Sequence, residues 1–164
     1  MKKIQKYLDS VTEAIGSFTS YIVFFMVLLV IITLFLRYVL NIGSVALQES
    51  IMYLHAFFFM AGISFSIKEN SHVKIDILSQ KFHDKKKNIV SILGIIFFMI
   101  PFSVFIIFIS SDMVIKSWEI MEQSGEAGGL NLVYILKSII PFTGILILLQ
   151  SVSELIKNTQ SYLK

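Results

Sequence analysis

Polar and apolar positions along this 164-residue chain fall into long blocks and do not alternate. Four blocks carry no Asp, Glu, Lys or Arg: 14–36 (23 residues), 50–67 (18), 88–111 (24) and 138–153 (16). A helix needs about 20 mostly apolar residues to cross the hydrocarbon, because it must satisfy all its backbone polar groups internally. The fourth block reaches that length if it begins at Leu132 and Lys137 snorkels to the headgroups. A transmembrane barrel would instead alternate over stretches of about ten residues. The pattern therefore predicts an all-α, polytopic membrane protein forming one domain, with spans over 15–38, 46–67, 88–111 and 132–155. Pro101 is expected to kink the third span, and Pro141 lies near the start of the fourth.

Two flanking segments read as amphipathic. In the leader, Ile4, Tyr7, Leu8, Val11 and Ile15 share one helical face. Between spans two and three, Val73, Ile75, Ile77, Leu78 and Phe82 form a looser stripe among lysines. Both are expected as helices in the plane of the interface, over 3–14 and 71–84. The leader also carries Asp9 and Glu13, and no small-residue cleavage site follows the first block, so that block reads as a retained span. Basic residues are unevenly distributed. The leader, the middle loop and the tail hold eleven, against three (Arg37, Lys116 and Lys137) in the other connections. That excess places both termini and the middle loop in the cytoplasm.

Composition narrows the function classes. Hydrophobic residues make up 55% and charged residues 15%, where a soluble domain is about a quarter charged. A soluble enzyme is excluded. The net charge of +3 sits in lysine clusters beside apolar blocks, which points to lipid headgroups and not to nucleic acid. Without cysteine there is no disulfide, thiol redox centre or zinc–thiolate site.

Few residues can carry chemistry. Arg37 closes span one and Glu49 opens span two across a short turn, so an ion pair is expected at the membrane edge, or a shared contact with a partner. His55 lies in span two with no second histidine in another span to make a haem pair, and reads as a hydrogen-bonded packing residue. Ser64, Ser66 and Ser103 with His55 supply the inventory of an intramembrane hydrolase, but no nucleophile motif accompanies them. A self-sufficient ion-coupled transporter needs ionisable groups deep in its spans, and the middles of all four have none. The acidic stretch 112–129 is either a docking surface for an extracytoplasmic partner or a loop anchored by Trp118 at the interface. No catalytic residue, cofactor or metal ligand is expected. The competing readings are a stand-alone small transporter or exporter, and a membrane-embedded enzyme or haem protein.

Three motifs add a resemblance. Arg37-Tyr38-Val39 closes span one, with Glu49 twelve residues later. Gly62-Ile63-Ser64 lies late in span two, followed by Lys68 and then His72-Val73-Lys74-Ile75-Asp76. Ser138-Ile139-Ile140-Pro141 opens span four. In this order the chain resembles the small, four-helix DctQ-type membrane subunit of tripartite ATP-independent periplasmic (TRAP) transporters. That family usually places a Trp and paired acids at the start of span two, where this chain reads Val45-Ala46-Leu47-Gln48-Glu49.

The resemblance implies a bacterial inner-membrane complex. A periplasmic binding protein delivers an organic acid (a C4-dicarboxylate, sialic acid or similar) to a large elevator-type subunit, which binds sodium and substrate. The small subunit packs beside the large one as a scaffold among membrane lipids. Under that reading Arg37 and Glu49 fix the outer end of the first hairpin. His72 and Asp76 cap or orient the middle-loop helix. Lys68 and Trp118 contact a partner or lipid, and Gly62 is a packing glycine.

Overall fold

The computed structural model describes residues 2–69 and 84–162, and among them there are four helices and no strand. Helix α1 is Lys2–Tyr38 and α2 is Val45–Lys68. Helix α3 has three consecutive parts: Asp84–Gly94, a π-helical turn Ile95–Met99, and Ile100–Glu119. Helix α4 is Val133–Tyr162. All four are long and apolar enough to cross a bilayer.

The helices alternate in direction. Both termini, the end of α2 and the start of α3 gather at one end of the bundle, here the terminal end. The α1–α2 turn and the α3–α4 loop form the opposite, hairpin end. Helix α4 is the hub. It packs on α1, α2 and α3, and α1 also packs along α2. In α4 half of the most apolar stretch is buried within the protein, against 11% in each other helix.

Burial inverts the soluble pattern. The fully buried side chains are mostly small or polar, including Thr12, Thr19, Ser64, Ser103, Ser110, Thr143, Gln150 and Ser151. Large apolar residues such as Phe24, Phe97 and Phe108 face outward. In lipid no hydrophobic force draws helices together, so close backbone approach and interhelical hydrogen bonds decide which face turns inward. Ser103, Ser110 and Ser117 of α3 recur at seven-residue spacing, all buried against α4. Gly144 of α4 meets this row, where an added Cβ would lie 2.8 Å from Ile107 and 3.2 Å from the Ser103 carbonyl oxygen. Gly16 does the same for α1 and α2, since a Cβ there would fall 2.3 Å from the Phe65 ring. At Gly62, expected to be the packing glycine, a Cβ would meet nothing within 4 Å.

One further expectation changes. The leader is not a separate helix in the interface plane. It continues into the first span as one 37-residue helix, roughly 55 Å long at 1.5 Å per residue. Its inward face is held to α4, where Thr12 donates to Gln150 Oε1 at 2.8 Å and Ser153 donates to Asp9 Oδ1 at 2.5 Å. At Pro101, expected to kink the third span, the helix is distorted but unbroken. The preceding residues form the π turn, in which Ile100 N–H bonds to the Ile95 carbonyl, and the helix continues through the proline. Helix α4 likewise runs through Pro141 without interruption.

Candidate functional site

Every described charged side chain on the four helices sits near one of the bundle's two ends. Each end is a set of polar contacts that ties helices together, and these two sets, with the apolar faces between them, are the candidate site.

At the hairpin end the organising residue is Glu49. Ser44 caps α2 by accepting from the Leu47 N–H at 3.3 Å, which sets Glu49 in the first turns of the helix. Its carboxylate does not meet Arg37. Oε1 accepts from the Ser124 hydroxyl, and Oε2 accepts from the Leu130 backbone N–H at 2.6 Å. Arg37 is exposed and has no ion-pair partner among the described residues. Glu49 is instead turned towards the α3–α4 loop, which offers two donors. Gly129 lies under this latch. A Cβ there would stand 2.8 Å from Glu49 Oε1 and 2.4 Å from Ser124 Oγ, so the position accepts only glycine without displacing the latch.

The same loop is pinned a second time. Helix α3 ends in a Schellman motif: Glu122 N–H bonds to the Ser117 carbonyl at 3.0 Å and Met121 N–H to the Trp118 carbonyl at 3.2 Å. Met121, at φ 45°, occupies the left-handed position where glycine is usual. This turn aims the Glu122 carboxylate at Lys137 of α4 and at the Ser117 hydroxyl, which donates to it at 2.6 Å. The Lys137 and Ser117 hydrogen bonds hold the Glu122 carboxyl below its ordinary pKa. Lys137 therefore does not snorkel away from the protein; it is neutralised within it. Trp118 donates from Nε1 to Ser138 Oγ at 2.8 Å, and its ring stands edge-on to Tyr134 with centroids 4.7 Å apart. It joins α3 to α4 while remaining 45% exposed. Of the acidic stretch, Glu122 and the Asp112–Lys116 pair are engaged, while Glu119 and Glu126 remain exposed.

At the terminal end, Lys68 bonds Glu13 across the α1–α2 interface at 3.0 Å. Its ammonium also lies 6.0 Å from the centre of the Phe65 ring. Asn88 of α3 donates to Ser161 of α4 at 3.2 Å. Glu154 is buried and accepts from Lys157 at 3.1 Å. His72, Asp76 and nearly all of the segment 71–84 lie outside the described residues.

His55 is exposed and forms no hydrogen bond among the described residues, so it is not the bonded packing residue expected. Its place on α2 falls on a face that neither α1 nor α4 covers. Ser64 and Ser103 donate to carbonyls of their own helices, at 3.0 and 2.8 Å, and pack between helices. Sequence reasoning missed Thr12, Ser117, Ser124, Gln150 and Ser153. The seven-residue row of serines in α3 was the readable signal for Ser117; nothing local marks Ser124.

Between the ends, broad apolar faces remain on the flanks. Tyr21, Phe24 and Phe35 of α1 and Phe97, Phe105 and Phe108 of α3 are all more than half exposed. Such area on a protein surface marks contact with lipid or another protein.

The family model for tripartite ATP-independent periplasmic transporters, DctQ component, matches residues 26–161. Comparison with curated proteins and with solved structures returned no match. The matched region runs from the middle of α1 to the end of α4 and includes the whole hairpin-end set of polar contacts, but at the terminal end it leaves out the α1 partners Asp9, Thr12 and Glu13. The chain belongs to the DctQ family and is the small membrane subunit of a TRAP transporter.

Proposed function

We propose that this chain is the stationary scaffold of a sodium-coupled, binding-protein-dependent importer of an organic acid in a bacterial inner membrane. One observation carries the reading. No Asp, Glu, Lys or Arg lies in the middle of any span, and the buried polar side chains of the spans bond between or within helices, Gln150 through its Oε1 alone. Coupling a solute to an ion within one chain needs ionisable or coordinating groups at mid-membrane, so the coupling belongs to a partner. The large subunit binds sodium and substrate and moves, and this chain widens the frame it moves against. A scaffold must resist shear, and cross-links between helices at both ends of the bundle supply that resistance.

The excess of basic residues supports a cytoplasmic terminal end and a periplasmic hairpin end. The hairpin end then faces the binding protein, with Glu119 and Glu126 exposed to it. Arg37 reaches lipid phosphate or the large subunit from the same side.

Two measurements test this reading. Co-expressed with the large membrane subunit of its system, the chain purifies as a stable complex; purification apart from it in mild detergent overturns the assignment. Because the chain has no native cysteine, single cysteines at Gln123 and Lys86 report sidedness. A membrane-impermeant maleimide added to intact cells labels the first and spares the second; the reverse pattern inverts the topology.

A further inference from the structure

Helices α2 and α3 both pack on α4 but make no substantial contact with each other. The gap between them, closed behind by α4, is a cleft of about 460 Å³. That volume falls within the range of small-molecule sites, roughly 300–1,000 Å³. Along α3 the cleft runs from Ser91 to Phe102, and along α4 from Ile147 to Asn158. Eleven residue steps of helix cover about 16 Å, close to half of a hydrocarbon core about 30 Å thick. The cleft is therefore as deep as one leaflet.

Its polarity is graded in the same direction. Towards mid-membrane it is lined by Ile63, Ile147 and Phe102, and towards the terminal end by Ser91, Glu154 and Asn158. The π turn of α3 contributes Ile95, Phe98 and Met99 to the wall, and Gly94 presents no side chain to it. Glu154 is only 8% exposed. Its Oε1 accepts from Lys157, and its second oxygen has no partner among the described residues. That oxygen is not sealed from solvent, and since a carboxylate offers about four acceptor positions, it is open to a donor entering the cleft.

We propose that this cleft binds one phospholipid of the leaflet at the terminal end, with a primary-ammonium headgroup of the phosphatidylethanolamine class. The ammonium donates N–H bonds to Glu154, the half-exposed Lys157 faces the phosphate, and an acyl chain fills the apolar part. A choline headgroup has no N–H to offer, and a glycerol headgroup brings a net negative charge towards a carboxylate. The site is thus selective for headgroup as well as for shape.

Native mass spectrometry of the full chain tests this, after incubation with equal amounts of palmitoyl-oleoyl phosphatidylethanolamine, phosphatidylcholine and phosphatidylglycerol. The native chain retains one phosphatidylethanolamine in at least fivefold excess over either competitor; equal retention of the three overturns the proposal. Glu154→Gln lowers that preference to below twofold while lipid is still retained, and an unchanged preference overturns the role of Glu154. A Cβ at Gly94 would meet nothing within 4 Å, so Gly94→Phe fills the cleft without clashing at its root. Gly94→Phe and, one turn away, Ser91→Phe each reduce retention at least fivefold, and retention at the native level in both overturns the location. Cross-linking of Gly94→Cys to another membrane protein, with no lipid retained, shows that a protein helix occupies the cleft and likewise overturns the proposal.

Discussion

Removing the Glu49 carboxylate should release the α3–α4 loop while leaving the bundle intact. Glu49 accepts one hydroxyl and one backbone N–H from a loop 75 and 81 residues further along the chain. Hydrogen bonds to a charged group contribute roughly 1.5–3 kcal/mol each when well buried. Glu49 is half-buried, so solvent and alternative partners reduce the pair to about 2 kcal/mol, or roughly thirtyfold in the closed-to-open ratio of the loop. In Glu49→Ala the amide of Leu130 loses its acceptor, and its hydrogen exchange should rise by about that factor. Neighbouring amides over 122–131 should follow to a lesser degree. Exchange at Ser103–Ser110 and at Thr143–Ser151, buried between α3 and α4, should not change. Gly129→Ala attacks the same latch from the other side, because its methyl would occupy space 2.8 Å from Glu49 Oε1. The two substitutions should be less than additive, since each opens what the other opens. Leu130 exchange within twofold of native in both variants would refute the latch.

Three other perturbations separate further parts of the account. The Glu122 pKa is lowered in the folded protein by Lys137 and Ser117. Its contribution is therefore complete above the unfolded glutamate value, about 4.3, and is lost as pH falls through the lower folded value. Emission of the single tryptophan, Trp118, which bonds Ser138 beside Lys137, should hold steady at neutral pH and shift only under acid. Glu122→Gln should remove that transition, and its persistence would place the titration elsewhere. Gly16→Val should destabilise the detergent-solubilised chain by roughly 1–3 kcal/mol in thermal unfolding, the usual cost of overpacking. Gly62→Ala, in open space, should be neutral or stabilise by up to about 1 kcal/mol; equal losses from both would contradict the assignment of Gly16 as the close-contact position. Met121→Gly should raise the unfolding midpoint by the equivalent of about 1 kcal/mol, because a non-glycine residue in the left-handed region is strained.

The four helices were legible because the bilayer sets their length: any charge-free block near 20 residues has one stable solution, and the blocks ending at Leu36, Ile67, Ser111 and Ser153 all took it. Their inward faces were harder to read. A stripe of large apolar residues marks the core in water, yet here Ile4 and Tyr7 of the leader stripe are more than half exposed while Thr12, Gly16 and Thr19 are buried. An amphipathic leader shows the same periodicity whether it lies in the interface or continues a span, so the pattern alone did not separate the two. The row Thr12-Gly16-Thr19 was the available clue, because small residues at helical spacing are what membrane helices turn inward. Glu49 stood out as a charge needing a partner, but the partner expected was Arg37. Its actual partners, Ser124 and Leu130, belong to a loop that nothing within the α1–α2 hairpin could identify. Lys137 was likewise seen as out of place in an apolar run, and Glu122, fifteen residues earlier, came within reach only through the turn at Met121. Family membership was carried by the order of short motifs, which survives even where the contacts of individual residues differ from expectation.

As proposed, this chain steadies a moving partner and moves no solute itself. Sodium-driven accumulation of a radiolabelled organic acid in proteoliposomes tests it most directly. Vesicles holding this chain alone should stay at background, while vesicles holding it with the large subunit, supplied with loaded binding protein, should accumulate solute. Gradient-driven uptake by this chain alone would contradict the account.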